Sequence, residues 1–169
     1  NGPQPEAWIR REKSEPFEAI QGADLHAEIL PGVLYTPFDL QMPFIYWDDF
    51  IYEGPTRVGM SRVAHQFLMQ SPTSVDNEEK GIKGVRIGLD SDYNALLRIE
   101  NINTNNFVTS RLAVEGFRKV DDQYIVKRVT LTDYPSRNRT SFEVKDASVG
   151  LALGRSVFDP DGTFEAMVE

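Results

Sequence analysis

Apolar residues recur at every second position in six runs along the chain, and this pattern restricts the fold more than any other feature. In one run, Val85, Ile87 and Leu89 alternate with arginine and glycine. The other runs cover residues 63–70, 97–100, 108–116, 125–131 and 142–144. Such alternation predicts strands with one apolar and one polar face. Short polar turns separate the runs and leave no room for crossover helices, so the prediction is an antiparallel meander.

The segment 35–54 is the only sizeable apolar stretch outside these runs. Its large apolar and aromatic residues are Phe38, Leu40, Met42, Phe44, Ile45, Tyr46, Trp47, Phe50 and Tyr52. A sheet with one apolar face has to cover that face, and burying one Phe or Leu side chain contributes about 1.5–3 kcal/mol. We therefore expect this segment to dock on the sheet. It would be either a core plug or the lining of a ligand cavity.

Proline residues predict how this segment folds. Thr36 followed by Pro37 is typical of a helix N-cap and first helical position. A continuing helix would share one face among Phe38, Met42 and Ile45. Pro43 interrupts a smooth helix, so we predict two short helical turns, or one kinked helix, ending near Trp47.

Composition limits the classes of partner. The chain has 169 residues and a net charge of −8. It has no dense basic patch, which argues against nucleic acid or an anionic membrane surface as the main partner. No apolar run approaches the roughly 20 residues of a transmembrane helix. The absence of cysteine excludes disulfides and thiolate chemistry.

Candidate catalytic and metal-binding motifs are incomplete. The segment 90–94 has calcium-type ligands at positions 1, 3 and 5, but Ala95 replaces the required glycine and Asn101 the required glutamate. It is therefore predicted to be a hairpin turn. Asp48 and Asp49 are adjacent in sequence, so their side chains diverge and are expected to face water.

His26 and His65 lack partners at metal-ligand spacing, and a packed, hydrogen-bonded His65 is expected. We predict no enzyme activity, metal or cofactor. An acidic polar loop is expected at 73–84, and a helical turn at 155–158.

Several motifs, taken in order, resemble the bacterial outer-membrane lipoprotein-sorting proteins, the LolA/LolB-like family. The motifs are PFDLQMPFIYWD at 37–48, YEG at 52–54, Asp90 with YNALLR at 93–98 and Glu100, GFRKVD at 116–121, YIVK at 124–127 and RTSFEV at 139–144. The resemblance runs from about residue 33 to residue 144. It implies a mainly β fold, a curved antiparallel sheet or unclosed half-barrel with a short helical cover. It also implies non-enzymatic binding or transport of lipoprotein acyl chains or lipid in the periplasm, with possible outer-membrane association and sorting components as partners.

The expected domain is a single one over residues 1–169. Members of the family usually have additional strands before the matched region. The chain is therefore expected to be a fragment that lacks N-terminal strands, or to form a shorter and more open barrel.

Strand alternation and membership of the cover select the candidate lipid-binding residues. The cover would contribute Phe44, Tyr46, Trp47 and Phe50, and the trough floor Leu97, Ile99, Leu112, Val114, Val129 and Leu131. The alternative hypothesis is a structural or interaction domain of the envelope, in which the same residues close a dry core and a partner binds at an exposed strand edge.

Overall fold

The predicted meander is confirmed in a computed structural model, which describes residues 7–12, 14–59, 62–72, 81–152 and 154. Two short strands come first, β1 (Ala7–Ile9) and β2 (Glu18–Ile20). The others are β3 (Phe50–Val58), β4 (Arg62–Gln70), β5 (Ile82–Asp90), β6 (Leu96–Asn103), β7 (Val108–Val120), β8 (Gln123–Asp133) and β9 (Arg139–Glu143). Strands β3 to β9 form one unclosed antiparallel sheet in chain order. The predicted helical turn at 155–158 and most of the predicted loop at 73–84 lie outside the described residues.

Strands β1 and β2 form a separate antiparallel hairpin rather than an edge of the large sheet. A 3₁₀ helix, Gly22–His26, follows β2. The His26 ring packs against the ring of Phe38, with centroids 4.7 Å apart. This N-terminal unit therefore contacts the segment that covers the sheet.

Cross-strand register arranges the apolar face of the large sheet, here called the core face, in rows. The middle row consists of Phe67, Ile87, Ile99, Leu112 and Leu131. The end row consists of His65, Leu89, Leu96, Val114 and Val129. On the other side of the middle row, Asn101 pairs with Ser110 and Ser110 with Asp133, and these three residues form the polar end. The same row continues on β4 and β5 with the buried apolar pair Met69 and Val85, so the core face is polar only at the β6 to β8 side of this row.

The cover segment, residues 34–49, folds as its prolines predicted. Helix α1 (Pro37–Gln41) begins at a capping box, in which the Thr36 hydroxyl accepts the N–H of Asp39 and the Asp39 carboxylate accepts the N–H of Thr36. A 3₁₀ helix, Pro43–Tyr46, follows and ends at Trp47. The two turns meet at Met42, whose φ of 51° is left-handed. The prediction of two short helical turns is confirmed.

Because the helix is interrupted, as predicted, the cover lacks the single apolar face that a continuing helix would have. Because α1 ends before Met42, the helical spacing does not continue to Ile45. Phe38 is 4% exposed, whereas Ile45 is 46% exposed. The cover instead buries Tyr35, Phe38 and Phe44 against the middle row.

Each end of the cover segment makes a hydrogen bond to the sheet through a backbone group. The N–H of Leu34 donates to the Thr140 hydroxyl on β9, at 3.2 Å. At the other end, the N–H of Gln70 on β4 donates to the Asp49 carbonyl, at 2.8 Å. The cover therefore crosses the sheet from β9 to β4.

Phe50 belongs to β3 and not to the cover, which corrects the prediction for this residue. It pairs with Met69 on β4 and its side chain is 54% exposed. The sequence 50–54 is aromatic like the cover, but it lies in an edge strand with a bulge between Tyr52 and Gly54. Among the described strands, β3 pairs with β4 alone.

Candidate functional site

The cover buries the middle row but leaves the end row partly open. Ile87, Ile99, Leu112 and Leu131 are 3–7% exposed. In the end row, Leu89, Leu96, Val114 and Val129 pack against the same core yet remain half-buried. The result is an apolar strip on the core face that begins where the cover stops.

The predicted floor residues divide between these two rows. Ile99, Leu112 and Leu131 lie in the closed middle row, and Val114 and Val129 in the open end row. Of these floor residues, Val114 and Val129 keep the larger exposed fraction while the cover is in place.

Leu97 does not occupy the trough-floor position that was predicted for it. It is buried, 2% exposed, but it lies outside the core cluster. The register of β5 and β6 shifts here, since Gly88 pairs with Arg98 while Leu89 pairs with Leu96. This bulge gives the end-row position to Leu96, which simple alternation had missed.

The cover residues named from sequence differ in accessibility. Phe44 is 1% exposed, and its ring lies 6.0 Å from that of Phe38 and 6.3 Å from that of Trp47. Trp47 is half-buried against the core, and Tyr46 is 40% exposed. Phe44 therefore holds the cover on the sheet, whereas Trp47 and Tyr46 still present surface to solvent.

One edge of the end row carries an aromatic–histidine contact. The Tyr52 hydroxyl and His65 Nδ1 are 2.8 Å apart, and the Tyr52 and Phe67 ring centroids are 5.1 Å apart. The expected hydrogen-bonded His65 is thus observed. The pair adds a polar contact at the β4 side of an otherwise aliphatic row.

The polar end lines a cavity of about 420 Å³ beneath the start of α1. Its walls include Asp39, Asn101, Ser110 and Asp133. Asn101 donates through Nδ2 to Ser110 Oγ, at 2.9 Å, and within the described residues its Oδ1 has no hydrogen-bond partner. Apolar side chains also line it, those of Leu34, Phe38, Ile82 and Leu131, so the cavity has one polar wall and one apolar wall.

Two ionisable groups of the cover have pKa values raised by burial. Burial raises the pKa of Asp39, against the hydrogen bonds from Thr36, which lower it. Burial, with the charges of Asp39 and Glu115, raises the pKa of Tyr35 to about 12. The Tyr35 hydroxyl donates to the Val129 carbonyl, at 3.4 Å, and so links the cover to the end row.

The outer face, opposite the core face, carries a network of ion pairs around Glu100. The Glu100 side chain is 4% exposed and lies 2.7 Å from Arg111, 3.5 Å from Arg86 and 3.6 Å from Arg98. Arg86 also pairs with Glu53 on the edge strand, at 2.6 Å. Each residue in the network has a charged partner, so the network is structural.

The turn that follows Asp90 is organised by protein contacts of the Asp90 carboxylate. Asp90 Oδ1 accepts the N–H groups of Asp92 and Tyr93, and Oδ2 accepts from Arg62. Asp48 and Asp49 are exposed as expected. Among the described residues, no cluster of His, Cys, Asp and Glu could hold a metal ion. None of the described helices has the length and apolar character needed to cross a bilayer.

Comparison with solved structures defines the class of fold. The chain is similar to a domain from Vibrio parahaemolyticus described as an outer membrane lipoprotein-sorting protein, with a TM-score of 0.74 and 13% identity over 91% of this chain and 63% of that one. It is also similar to a DUF1329 family protein from Desulfovibrio piger, with a TM-score of 0.70 and 12% identity over 94% and 65%. A LolA superfamily protein from Nitrosomonas europaea matches with a TM-score of 0.58 and 10% identity over 91% and 66%.

The chain therefore has a LolA-like fold, as the sequence resemblance predicted. It spans less than two thirds of the length of each of these three proteins. No protein-family model and no curated protein matches the sequence.

Proposed function

We propose that this protein binds the acyl chains of lipoproteins, or lipid, without catalysis, and that it acts in the periplasm in outer-membrane lipoprotein sorting. The observation that carries the proposal is the half-open end row, an apolar strip bordered by the cover on a LolA-like sheet. The similar structure from Vibrio parahaemolyticus, which is described as a lipoprotein-sorting protein, supports the same class of function.

The chemistry of the end row suits a hydrocarbon chain. Leu89, Leu96, Val114 and Val129 present only aliphatic groups. Each methylene of an acyl chain that leaves water contributes about 0.8 kcal/mol. A strip without directed polar groups therefore retains a chain by burial alone and releases it to a more apolar acceptor.

Movement of the cover would enlarge the site from the end row to the middle row. The cover docks through Phe38 and Phe44 and is tied at Leu34 and Asp49. Its break at Met42 separates two helical turns. A long acyl chain would occupy the end row first and displace part of the cover to reach the buried floor.

Binding of a fluorescently labelled long-chain fatty acid tests this proposal. Val129 and Val126 lie on the same strand, β8, and both are half-buried, but only Val129 belongs to the end row, since Val126 lies beyond the register shift at Gly116. We expect Val129→Asn to weaken binding about tenfold, or about 1.4 kcal/mol, and Val126→Asn to leave it unchanged. Native mass spectrometry of the freshly purified protein should detect bound lipid, and Trp47→Ala should alter probe uptake. Equal binding by the two valine variants, or no uptake at all, would refute the proposal.

A second candidate function rests on the free edge of β3. Phe50, Ile51 and Tyr52 are 54%, 49% and 51% exposed at a strand that pairs on one side among the described strands. Such an edge can accept a strand from a partner. In that case Ile51→Lys would abolish partner binding and leave acyl-probe binding intact, whereas the carrier proposal requires the opposite dependence, on Val129.

A further inference from the structure

The outer face contains a second cavity that the proposed acyl site does not use. Its volume is about 390 Å³, and Arg62, Tyr93, Ala95, Phe117 and Tyr124 line it. Among these described lining residues, three are aromatic and one is cationic. Small-molecule sites are typically of this size, mostly apolar, with a few placed polar groups.

Strand register puts Arg62 and Asp90 on the face opposite the end row. Asp90 pairs with Ala64, and this pair alternates with the end-row pair Leu89 and His65, while Arg62 lies two residues before Ala64. The Phe117 ring lies against the Arg62 guanidinium, so it borders the same face. A ligand here would therefore not compete with a chain on the end row.

Asp90 holds two walls of the cavity in place. Its Oδ2 accepts from Arg62 Nη1 at 2.8 Å, and its Oδ1 accepts the N–H of Tyr93 at 3.1 Å. The Asp90 side chain is 4% exposed. These hydrogen bonds lower the pKa of Asp90, the N–H of Asp92 contributing most. One buried carboxylate thus positions both the guanidinium and the turn that carries Tyr93.

The guanidinium of Arg62 retains free hydrogen-bonding capacity. It lies over the Phe117 ring, 5.4 Å from the centroid. Among the described residues only Nη1 has a protein partner. The edge formed by Nε and Nη2 is therefore available, and this edge binds a carboxylate in a bidentate manner. Because Asp90 already orients the group, little ordering is needed when an anion binds.

The exposed tyrosines provide flat apolar surfaces next to that cation. Tyr93 is 75% exposed and Tyr124 is 72% exposed. Aromatic rings favour offset or edge-to-face contact with another ring, by about 0.5–1.5 kcal/mol for a pair. Arg62 disfavours a cationic ligand at the same place. The walls therefore select a planar ring that carries a negative charge.

We propose that this cavity is a binding site for small planar aromatic carboxylates. The carboxylate binds the Nε and Nη2 edge of Arg62, and the ring packs among Phe117, Tyr93 and Tyr124. The site is independent of the proposed acyl-binding function, because it lies on the other face of the sheet and shares no residue with the end row.

Titration of the ¹⁵N-labelled protein with naphthoate, followed by amide and Arg Nε–H chemical shifts, tests this proposal. We expect shifts of the Arg62 Nε–H and of the Ala95 and Phe117 amides that saturate with a single dissociation constant. Cyclohexanecarboxylate, which lacks the ring, and naphthalenemethanol, which lacks the charge, should each bind at least about tenfold more weakly. The Val129 amide should not shift.

Two variants and a matched control distinguish binding at this site from nonspecific binding. Arg62→Gln and Phe117→Leu should each weaken naphthoate binding at least about tenfold, with the rest of the spectrum retained. Arg111 lies over the ring of Tyr134 at 5.6 Å, a similar arginine–aromatic pair, so Tyr134→Leu should leave binding unchanged.

Equal binding of the three ligands, or undiminished binding by both site variants, would overturn the proposal. Naphthoate that displaces a bound fatty-acid probe would also overturn it, because the ligand would then occupy the core face. Loss of fatty-acid binding in Val129→Asn with naphthoate binding retained would show that the two sites are separate. Failure of either site therefore leaves the other testable.

Discussion

Phe44→Ala should release the cover from the sheet, and its effect follows from the packing around the ring. Phe44 is 1% exposed and contacts the rings of Phe38 and Trp47. Truncation of a buried Phe to Ala costs about 3–5 kcal/mol. Transfer of the ring from water accounts for about 1.5–3 kcal/mol, and each ring contact adds about 0.5–1.5 kcal/mol.

Ile45 gives the matched control because it is the next residue in the same 3₁₀ helix. It is 46% exposed, so about half of its side chain remains in water in the folded protein. Ile45→Ala should cost only about 1 kcal/mol. Both substitutions remove an apolar side chain from the same turn, and they differ mainly in burial.

Urea denaturation monitored by tryptophan fluorescence measures both values. Phe44→Ala should lower the free energy of unfolding by at least about 2 kcal/mol more than Ile45→Ala. It should also increase uptake of the labelled fatty acid, since the middle row becomes accessible. Equal losses for the two variants would refute the argument that Phe44 anchors the cover.

Three further substitutions test the cap, the outer-face network and the sheet. Thr36→Ala should cost about 1 kcal/mol through loss of the helix cap, and Thr36→Ser should cost less, both measured in urea. The hydrogen bond from Arg86 on β5 lowers the folded-state pKa of Glu53. The contribution of Glu53 to the free energy of unfolding is therefore present above the unfolded pKa of about 4.3 and is lost as the pH falls. Because this ion pair is exposed to solvent, Glu53→Gln should cost about 0.5–1 kcal/mol at neutral pH and nothing near pH 2, a difference that paired urea titrations detect. A Cβ added at Gly84 would lie 2.6 Å from the Met69 carbonyl oxygen, whereas one at Gly116 would meet nothing within 4 Å. Gly84→Ala should thus lower the melting temperature by several degrees, equivalent to about 1–3 kcal/mol, and Gly116→Ala should change it little.

The meander was predictable because each strand alternates and each turn is local. Residues such as Val85, Ile87 and Leu89 specify a face, and short turns between runs permit only antiparallel pairing. The cover was predictable for a similar reason, since Pro43 acts on its immediate neighbours. Local chemistry therefore determines both the meander and the cover.

The first strand of the sheet was missed because its composition matches that of the cover. Residues 50–52 are aromatic and apolar, and Gly54 followed by Pro55 suggested the end of an element. In the structure Gly54 has a φ of 95° within a bulge, and Pro55 lies in the edge strand. Proline is tolerated there because an edge strand has N–H groups that need no partner.

The candidate site was predicted in part. Alternation placed Val114 and Val129 on the apolar face, but the bulge near Leu97 changes the parity of β6, and no local signal marks it. The polar cavity depends on Asn101, Ser110 and Asp133 from three strands. Contacts between distant parts of the chain determine such a cavity, so a pattern within one segment does not reveal it.

The hydrogen bonds at Leu34 and Asp49 fix both ends of the cover, so the cover is a strap, a connection of fixed length between β9 and β4. The curvature of the sheet is then limited by the number of residues in that strap. A relative with extra residues between these two ties would have a wider mouth, and one with fewer would have a narrower one. Strap length would thus set how bulky a ligand the fold admits, without any change in the strands.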